Sequence, residues 1–421
     1  MSQNRRKPIA IAAVLIAVLI AATAYFALCK GKSAGASPIA SETIAVANES
    51  KYPIVAAGGY HSLAIDANGA VYATGDNLNG KLGLGDNAGR NAFALVASPT
   101  SKKIAAVAAG AEHSLALTSE GRVYATGANN NGQIGLGDEL QRETFALVAP
   151  FADTKIAAVA AGFDHSFAID ENGKLYAAGW NYSGELGLGD NAARNAFAPV
   201  KSLEGKKITR VAAAGGVYAL ALSLALTSDG DVYATGYNAN GQLGLGDNAN
   251  RNVFTLAKSL EGKKIVAVAA GKEHSLALDA SGKVYAAGSN DNGRLGLEGD
   301  GNRNAFAPVS SLSGAKIVAI AAGEAHSLAL TSDGKVYAAG WNNEGQLGLG
   351  DENDRGVFTL VSSLEGKKIA RIAAGGWNSF AVDESGKIYA TGMNESGQLG
   401  LGDDKYRNVF ALVTLSERQS K

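Results

Sequence analysis

The stretch AAGEAHSLALTSDGKVYAAGWNNEGQLGLGD, residues 321–351, decides the fold, because the chain repeats it. His61, His113 and His165 are spaced 52 apart, as are His274 and His326. LGLGD or a near variant occurs seven times, ending at Asp86, Asp138 (IGLGD), Asp190, Asp247, Asp300 (LGLEGD), Asp351 and Asp403. A fixed period near 50 marks a propeller or a solenoid.

Composition within the unit separates the two. In the second copy IAAVAAG ends at Gly110, SLALT covers 114–118, VYATG covers 123–127 and FALV covers 145–148. These pieces are short, β-branched or aromatic, and bounded by Gly, Asn or Asp, as strands are. No helical period runs through them, which excludes helical solenoids and leaves a β-helix as the competing architecture. Four strands in each of seven units predict an all-β, seven-bladed β-propeller, whose radial closure removes exposed sheet edges.

The repeated pattern resembles the regulator of chromosome condensation repeat, over nearly the whole chain from about residue 54 onward. The resemblance implies seven blades and a ring closed by pairing strands from the two chain ends. The candidates here are 409–415 (VFALVTL) against the first unit, with 43–47 (TIAVA) competing. It also implies two functions: guanine-nucleotide exchange on a small GTPase, or, as in similar bacterial propellers, protein binding through aromatic residues on one face, β-lactamases among the partners.

Most repeated residues read as structural. Ala and Gly in AVAAG suit an innermost strand, where blades converge. The glycines of GQLGLGD supply positive φ in a tight crossover. Asn77, Asn129, Asn181, Asn238, Asn290, Asn342 and Asn394 share one position and suit Asx-type turns. The five histidines are expected to bond neighbouring backbone, with Val217 or Tyr218, and Asn378, replacing them in units four and seven. Asp and Arg four apart (Asp86 with Arg90, and so on) suggest a bidentate clamp of the loop. DNLNG at 76–80 and DGNRN at 300–304 lack the ligand pattern of a calcium loop, so no metal is expected. The lysine pairs at 102–103, 206–207, 263–264 and 367–368 read as solvated turns.

Because the copies are so alike, the positions where they differ point to a binding face. One is the pair before the His position, including Tyr60, Phe163 and Trp377. The other follows the Gly that ends the third strand, including Trp180, Tyr237, Trp341 and Met393. Alternating strand direction puts both on one rim. Tyr60, Phe163, Trp180, Tyr237, Trp341, Trp377 and Met393 are thus expected to form a protein-binding rim, Trp and Tyr being enriched in interface hot spots. The fourth unit, GGVYALALSLALTSDG at 215–230, is about five residues longer, with an apparent duplication of LAL that should bulge the turn or the second strand.

Residues 8–28 form an uncharged apolar run long enough to cross a bilayer, preceded by Arg5, Arg6 and Lys7. The expected organisation is a cytoplasmic stub 1–7, a transmembrane signal-anchor 8–28, a tether 29–52, the propeller 53–415 and a tail 416–421. The basic flank favours an extracytoplasmic propeller. Cleavage, or lipidation at Cys29 within FALC, is the alternative. A net charge of −1 with interspersed signs argues against nucleic acid, and one cysteine allows no intrachain disulfide. No nucleophile with a base, no grouped acidic residues and no nucleotide loop emerges. The sequence therefore reads as a membrane-anchored, non-enzymatic, cofactor-free protein-binding scaffold, with an exchange factor or a glycan-binding propeller as the alternatives.

Overall fold

A computed structural model describes residues 45–46, 52–151, 153–215, 220–299 and 301–415. The predicted anchor at 8–28 and Cys29 lie outside the described residues. Among those described, no helix is long and apolar enough to cross a membrane.

Seven antiparallel sheets make up the propeller, and each blade takes its four strands in chain order. Blade 2 is typical: inner strand Ile104–Ala109, then His113–Thr118, Val123–Gly127 and outer strand Arg142–Leu147. The inner strands read IAAVAA or a close variant because only small side chains fit where blades meet; their ends line an open axial funnel. Around it the backbone is linked from blade to blade: Gly59 N–H donates to Gly110 O (3.1 Å), Glu324 N–H to Gly376 O (3.1 Å) and Gly376 N–H to Gly58 O (3.1 Å). The outer strands start at the repeated Arg, earlier than sequence suggested, and bury only their Phe, joined in blade 7 by Val413.

The ring does not close by sharing a blade between the chain ends. Arg407–Val413 is the outer strand of blade 7, paired with Ile388–Gly392 of its own repeat. Ala45–Val46 pairs with the inner strand of blade 3, Ala45 opposite Val159 and Val46 opposite Ala158. What closes the ring is a device found, among the described residues, at six of the seven junctions. The LGLGD loop of each blade leans over the outer strand of the next and forms an isolated β-bridge, Leu84 to Thr144 and, across the closure, Leu401 to Ala92. The bridge is missing from the described residues only at the fifth loop, where LGLEGD carries an extra residue.

Within each loop, φ is +70° at Gly83 and +84° at Gly85, the left-handed region glycine enters without penalty. A Cβ on Gly83 would lie 2.6 Å from the ring of Phe145, so the missing side chain also makes room for the next blade's phenylalanine. The repeated asparagines span the loop rather than closing local turns. Buried Asn238 accepts from Leu243 N–H (2.9 Å) and donates to the carbonyls of Asp247 (2.9 Å) and Ala249 (3.1 Å). Asn238→Ala strands those three groups and should cost about 2–4 kcal/mol of stability, read as a lowered urea midpoint at unchanged m-value.

The Asp–Arg pairs form as expected, Asp138 to Arg142 at 2.6 Å, but not bidentately. Arg142 Nη2 takes the carboxylate while Nη1 donates to Leu140 O at 2.5 Å. This guanidinium hydrogen bond, followed by a backbone one, holds the Asp138 carboxyl below its usual range. The first lysines of three pairs sit over tyrosine rings, Lys206 at 5.0 Å from Tyr233, rather than standing free in water.

The histidines bond a neighbouring blade's serine, not backbone. His113 Nε2 lies 2.8 Å from Ser166 Oγ of the next blade, and Ser166 donates its one proton to Gln133 O at 2.7 Å. With that proton committed, the serine accepts from histidine, so Nε2 carries the hydrogen. Every histidine is fully buried and leaves Nδ1 without a partner among the described residues. In blade 4 the register puts Leu222, opposite Gly236, at the His position, not Val217 or Tyr218, which lie outside the described residues. The second strand, Leu222–Thr227, has ordinary length, so the extra residues fall in the turn before it. Asn378 takes the position in blade 7, and neither of its side-chain polar atoms finds a partner among the described residues. The relay thus runs through blades 1 to 4 and 5 to 7 and is absent at the 4–5 and 7–1 junctions.

Candidate functional site

The two variable positions meet at one end of every blade because strands two and three pair there. The residue after the third-strand Gly donates its N–H to the carbonyl of the residue before the His position: Asp76 to Tyr60 (2.9 Å), Trp180 to Asp164 (2.8 Å), Trp341 to Ala325 (3.0 Å) and Met393 to Trp377 (2.9 Å). The three tryptophans therefore stand on the same rim, in two groups.

At blades 6, 7 and 1, Trp377 sits between its neighbours, with Trp341 at 5.9 Å and Tyr60 at 6.2 Å, both edge-to-face. Such pairs add about 0.5–1.5 kcal/mol beyond burial and hold the cluster in shape. On blade 3, Trp180 stacks at 6.1 Å on Tyr182, which is 70% exposed and lies outside the two positions that sequence comparison of the repeats singles out. Tyr60, Phe163, Trp180, Tyr237, Trp341 and Trp377 are all half-buried. Met393 is buried, so it offers no surface. Its unbranched apolar chain folds into available space instead of water.

A third variable position joins the rim from the loops: Lys81, Gln133, Glu185, Gln242, Arg294, Gln346 and Gln398, all buried. The sequence signal for it is one variable residue in an otherwise fixed GxLGLGD. Lys81 Nζ lies 2.5 Å from Asp76 and 2.6 Å from Glu112 of the next blade. Arg294 pairs with Glu273 at 3.1 Å, and Gln133 donates to Asp164 at 3.2 Å. Blade 3 differs. Glu185 lies near Asp164 with no cation beside it; Ser183 N–H reaches Oε2 at 2.8 Å, and Oε1 has no partner among the described residues. Burial and then Asp164 push the Glu185 carboxyl up to about 8, while burial and then Glu112 push Asp164 up to about 6. The indole N–H of Trp180 is also without a partner among the described residues. Among the described residues no group of three or more His, Cys, Asp or Glu side chains could hold a metal.

A seven-bladed ring built from this repeat defines the class. Residues 54–81, 104–133 and 156–185, and overlapping segments within 68–222, match the regulator of chromosome condensation (RCC1) repeat, and residues 219–420 match the RCC1-like domain. The chain belongs to the RCC1-repeat family. It is 32% identical to the ultraviolet-B receptor UVR8 of Arabidopsis thaliana, with 86% of this chain and 82% of the receptor covered. It is 36% identical to the human E3 ubiquitin-protein ligase HERC2 over 82% of this chain but only 7% of the ligase. It is 32% identical to the secretion-regulating guanine nucleotide exchange factor of Bos taurus, over 68% of this chain and 62% of that protein. The crystal structure of Prp20p from Saccharomyces cerevisiae, reported with its binding properties to Gsp1p and histones, shares the fold: TM-score 0.73, 24% identity, 89% of this chain and 88% of that one.

Proposed function

We propose that this protein is a membrane-tethered, non-enzymatic scaffold whose aromatic rim binds a protein partner, with 8–28 as the anchor and the propeller outside the cytoplasm. The observation that carries the reading is the Tyr60–Trp377–Trp341 cluster. Three large rings are held half-exposed on a rigid rim, and pre-ordered aromatics lose little entropy on docking. Of the curated relatives, UVR8 is a receptor and the Bos taurus protein an exchange factor, which fits a binding surface; HERC2 is a ubiquitin ligase of which this chain covers 7%.

The test is capture of partners by full-length protein solubilised from membranes, beside Trp341→Ala with Trp377→Ala. A partner held by the parent and lost by the variant at unchanged melting temperature is expected. The loss should exceed tenfold in Kd, about 1.4 kcal/mol or more. Equal capture by both would overturn the assignment to this cluster. Nucleotide exchange is the second reading, favoured by the identity to the Bos taurus exchange factor. A captured small GTPase whose GDP release accelerates would establish it.

A further inference from the structure

The face opposite the rim carries a cleft of about 390 Å³, where the turn before the third strand of blade 3 meets the loop leaving that blade. Four lysines line it, Lys174 from the turn and Lys201, Lys206 and Lys207 from the loop, against one carboxylate, Glu204. All four lysines are exposed, while Leu175 and Leu203 beneath them are buried. Backbone bonds fix the frame. Glu204 N–H donates to Lys201 O (3.1 Å), Lys206 N–H to Leu203 O (3.0 Å) and Ile208 N–H to Gly173 O of the turn (2.9 Å). The stem of Lys207 crosses the turn, since a Cβ on Gly173 would fall 2.7 Å from its Cγ. Glu171, on the same turn, is paired with Lys155 at 3.5 Å. Among the described residues no acid forms an ion pair with Lys174, Lys201 or Lys207.

The chain supplies its own comparison. The same seven residues, KSLEGKK, leave blade 3 at 201–207 and blade 4 at 258–264. In blade 4 the turn that precedes the third strand holds Asp229 and Asp231, and blade 3 has Asn172 and Lys174 at those positions. One loop thus has two acids in its blade's turn, and the other has none there and an added cation. A concave site lined by one sign of charge focuses the field and gathers counter-ions.

We propose that the blade 3 cleft binds a phosphate monoester that carries an apolar group. The lysines take the dianion as point charges, and the Leu175–Leu203 floor takes the substituent. A single carboxylate would leave most of the lysine charge unmet. The site lies at the other end of the blade from the aromatic rim and rests on no part of the rim reading.

The probe is n-butyl phosphate, titrated calorimetrically into the full-length protein in an uncharged detergent. Saturable binding is expected, tightening as pH rises through the second phosphate ionisation at about 6, because the lysines stay charged throughout. Lys174→Asp combined with Lys201→Ala should weaken it about tenfold or more at unchanged melting temperature. Asp231 at the matching position of blade 4 shows that the fold accepts an acid there. Lys258→Ala, in the matching loop of blade 4, should leave binding as it was. Dihexanoyl phosphatidic acid in a second titration separates the sources. Tighter binding than butyl phosphate makes a lipid headgroup the ligand, and equal or weaker binding makes it a soluble ester. No saturable binding, equal binding by the double variant, or a loss in Lys258→Ala as large as in that variant would each overturn the proposal.

Discussion

Acid should destabilise this propeller from about pH 6.5 downward, with its buried histidines as the cause at mild acidity and the Arg-paired aspartates such as Asp138 adding to the loss below it. Burial holds His113, His165 and His326 down to about 3, against 6.5 for a free imidazole, and holds His61 and His274 well below 6.5. Below pH 6.5 the unfolded chain takes up protons that the fold refuses, so stability is lost as pH falls from about 6.5 toward 3. Each histidine contributes up to about 1.4 kcal/mol per pH unit in that window. Three acids act in the opposite sense. Glu185, Asp164 and Glu324, raised chiefly by burial, are protonated by the fold before the unfolded chain, so they stabilise it as pH falls from about 8 to 4. The expected profile is a shallow decline from pH 6.5 to about 4.5 and a steep one below. Urea titrations at a series of pH values measure it. Replacing His113 and His165 by Gln lowers stability at pH 7 but should flatten the acid slope by about two protons. An unchanged slope would show that the relay does not set acid stability.

The second large effect belongs to the axial glycines. A Cβ on Gly110 would fall 2.5 Å from His113 Cε1 and 2.6 Å from the carbonyl of Gly162 in the next blade. The imidazole is fixed by Ser166 and the carbonyl belongs to the inner ring, so neither has room to yield. Gly110→Ala should cost about 3 kcal/mol or more, with the blade 2–3 junction opening first in hydrogen exchange. Gly137→Ala is the control. That site has φ of +90° and nothing within 4 Å of the new methyl, so only backbone strain is felt, about 1–2 kcal/mol. Equal losses at the two sites would refute the steric account.

Strands, blade number and the small inner residues were legible because they follow from composition and period, which each repeat states afresh. What failed depended on contacts between repeats. The closure could not be read because the clasp joins Leu401 to Ala92, residues that belong to no common strand pair. In unit four the duplicated LAL offered two alignments, and only pairing with Gly236 selects Leu222 as the His equivalent. The bond from each His to the serine of the next blade could not be read, since the two lie about 53 residues apart. The rim was legible by alternation of strand direction, which is local, but burial of Met393 was not.

The two missing histidine links divide the ring unequally. Blades 1 to 4 are joined by three histidine relays and blades 5 to 7 by two, so the molecule is two relay-linked arcs that meet through core packing, serine–carbonyl bonds (Ser62 to Gln398 O, Ser275 to Gln242 O) and, at blades 7 and 1, the Tyr60–Trp377 contact. One seam coincides with the gap in the covalent chain between blades 7 and 1. The other, at the 257–264 connection, is therefore where the chain is best cut: a circular permutant opened there, or two separately made halves mixed in solution, keeps every relay intact.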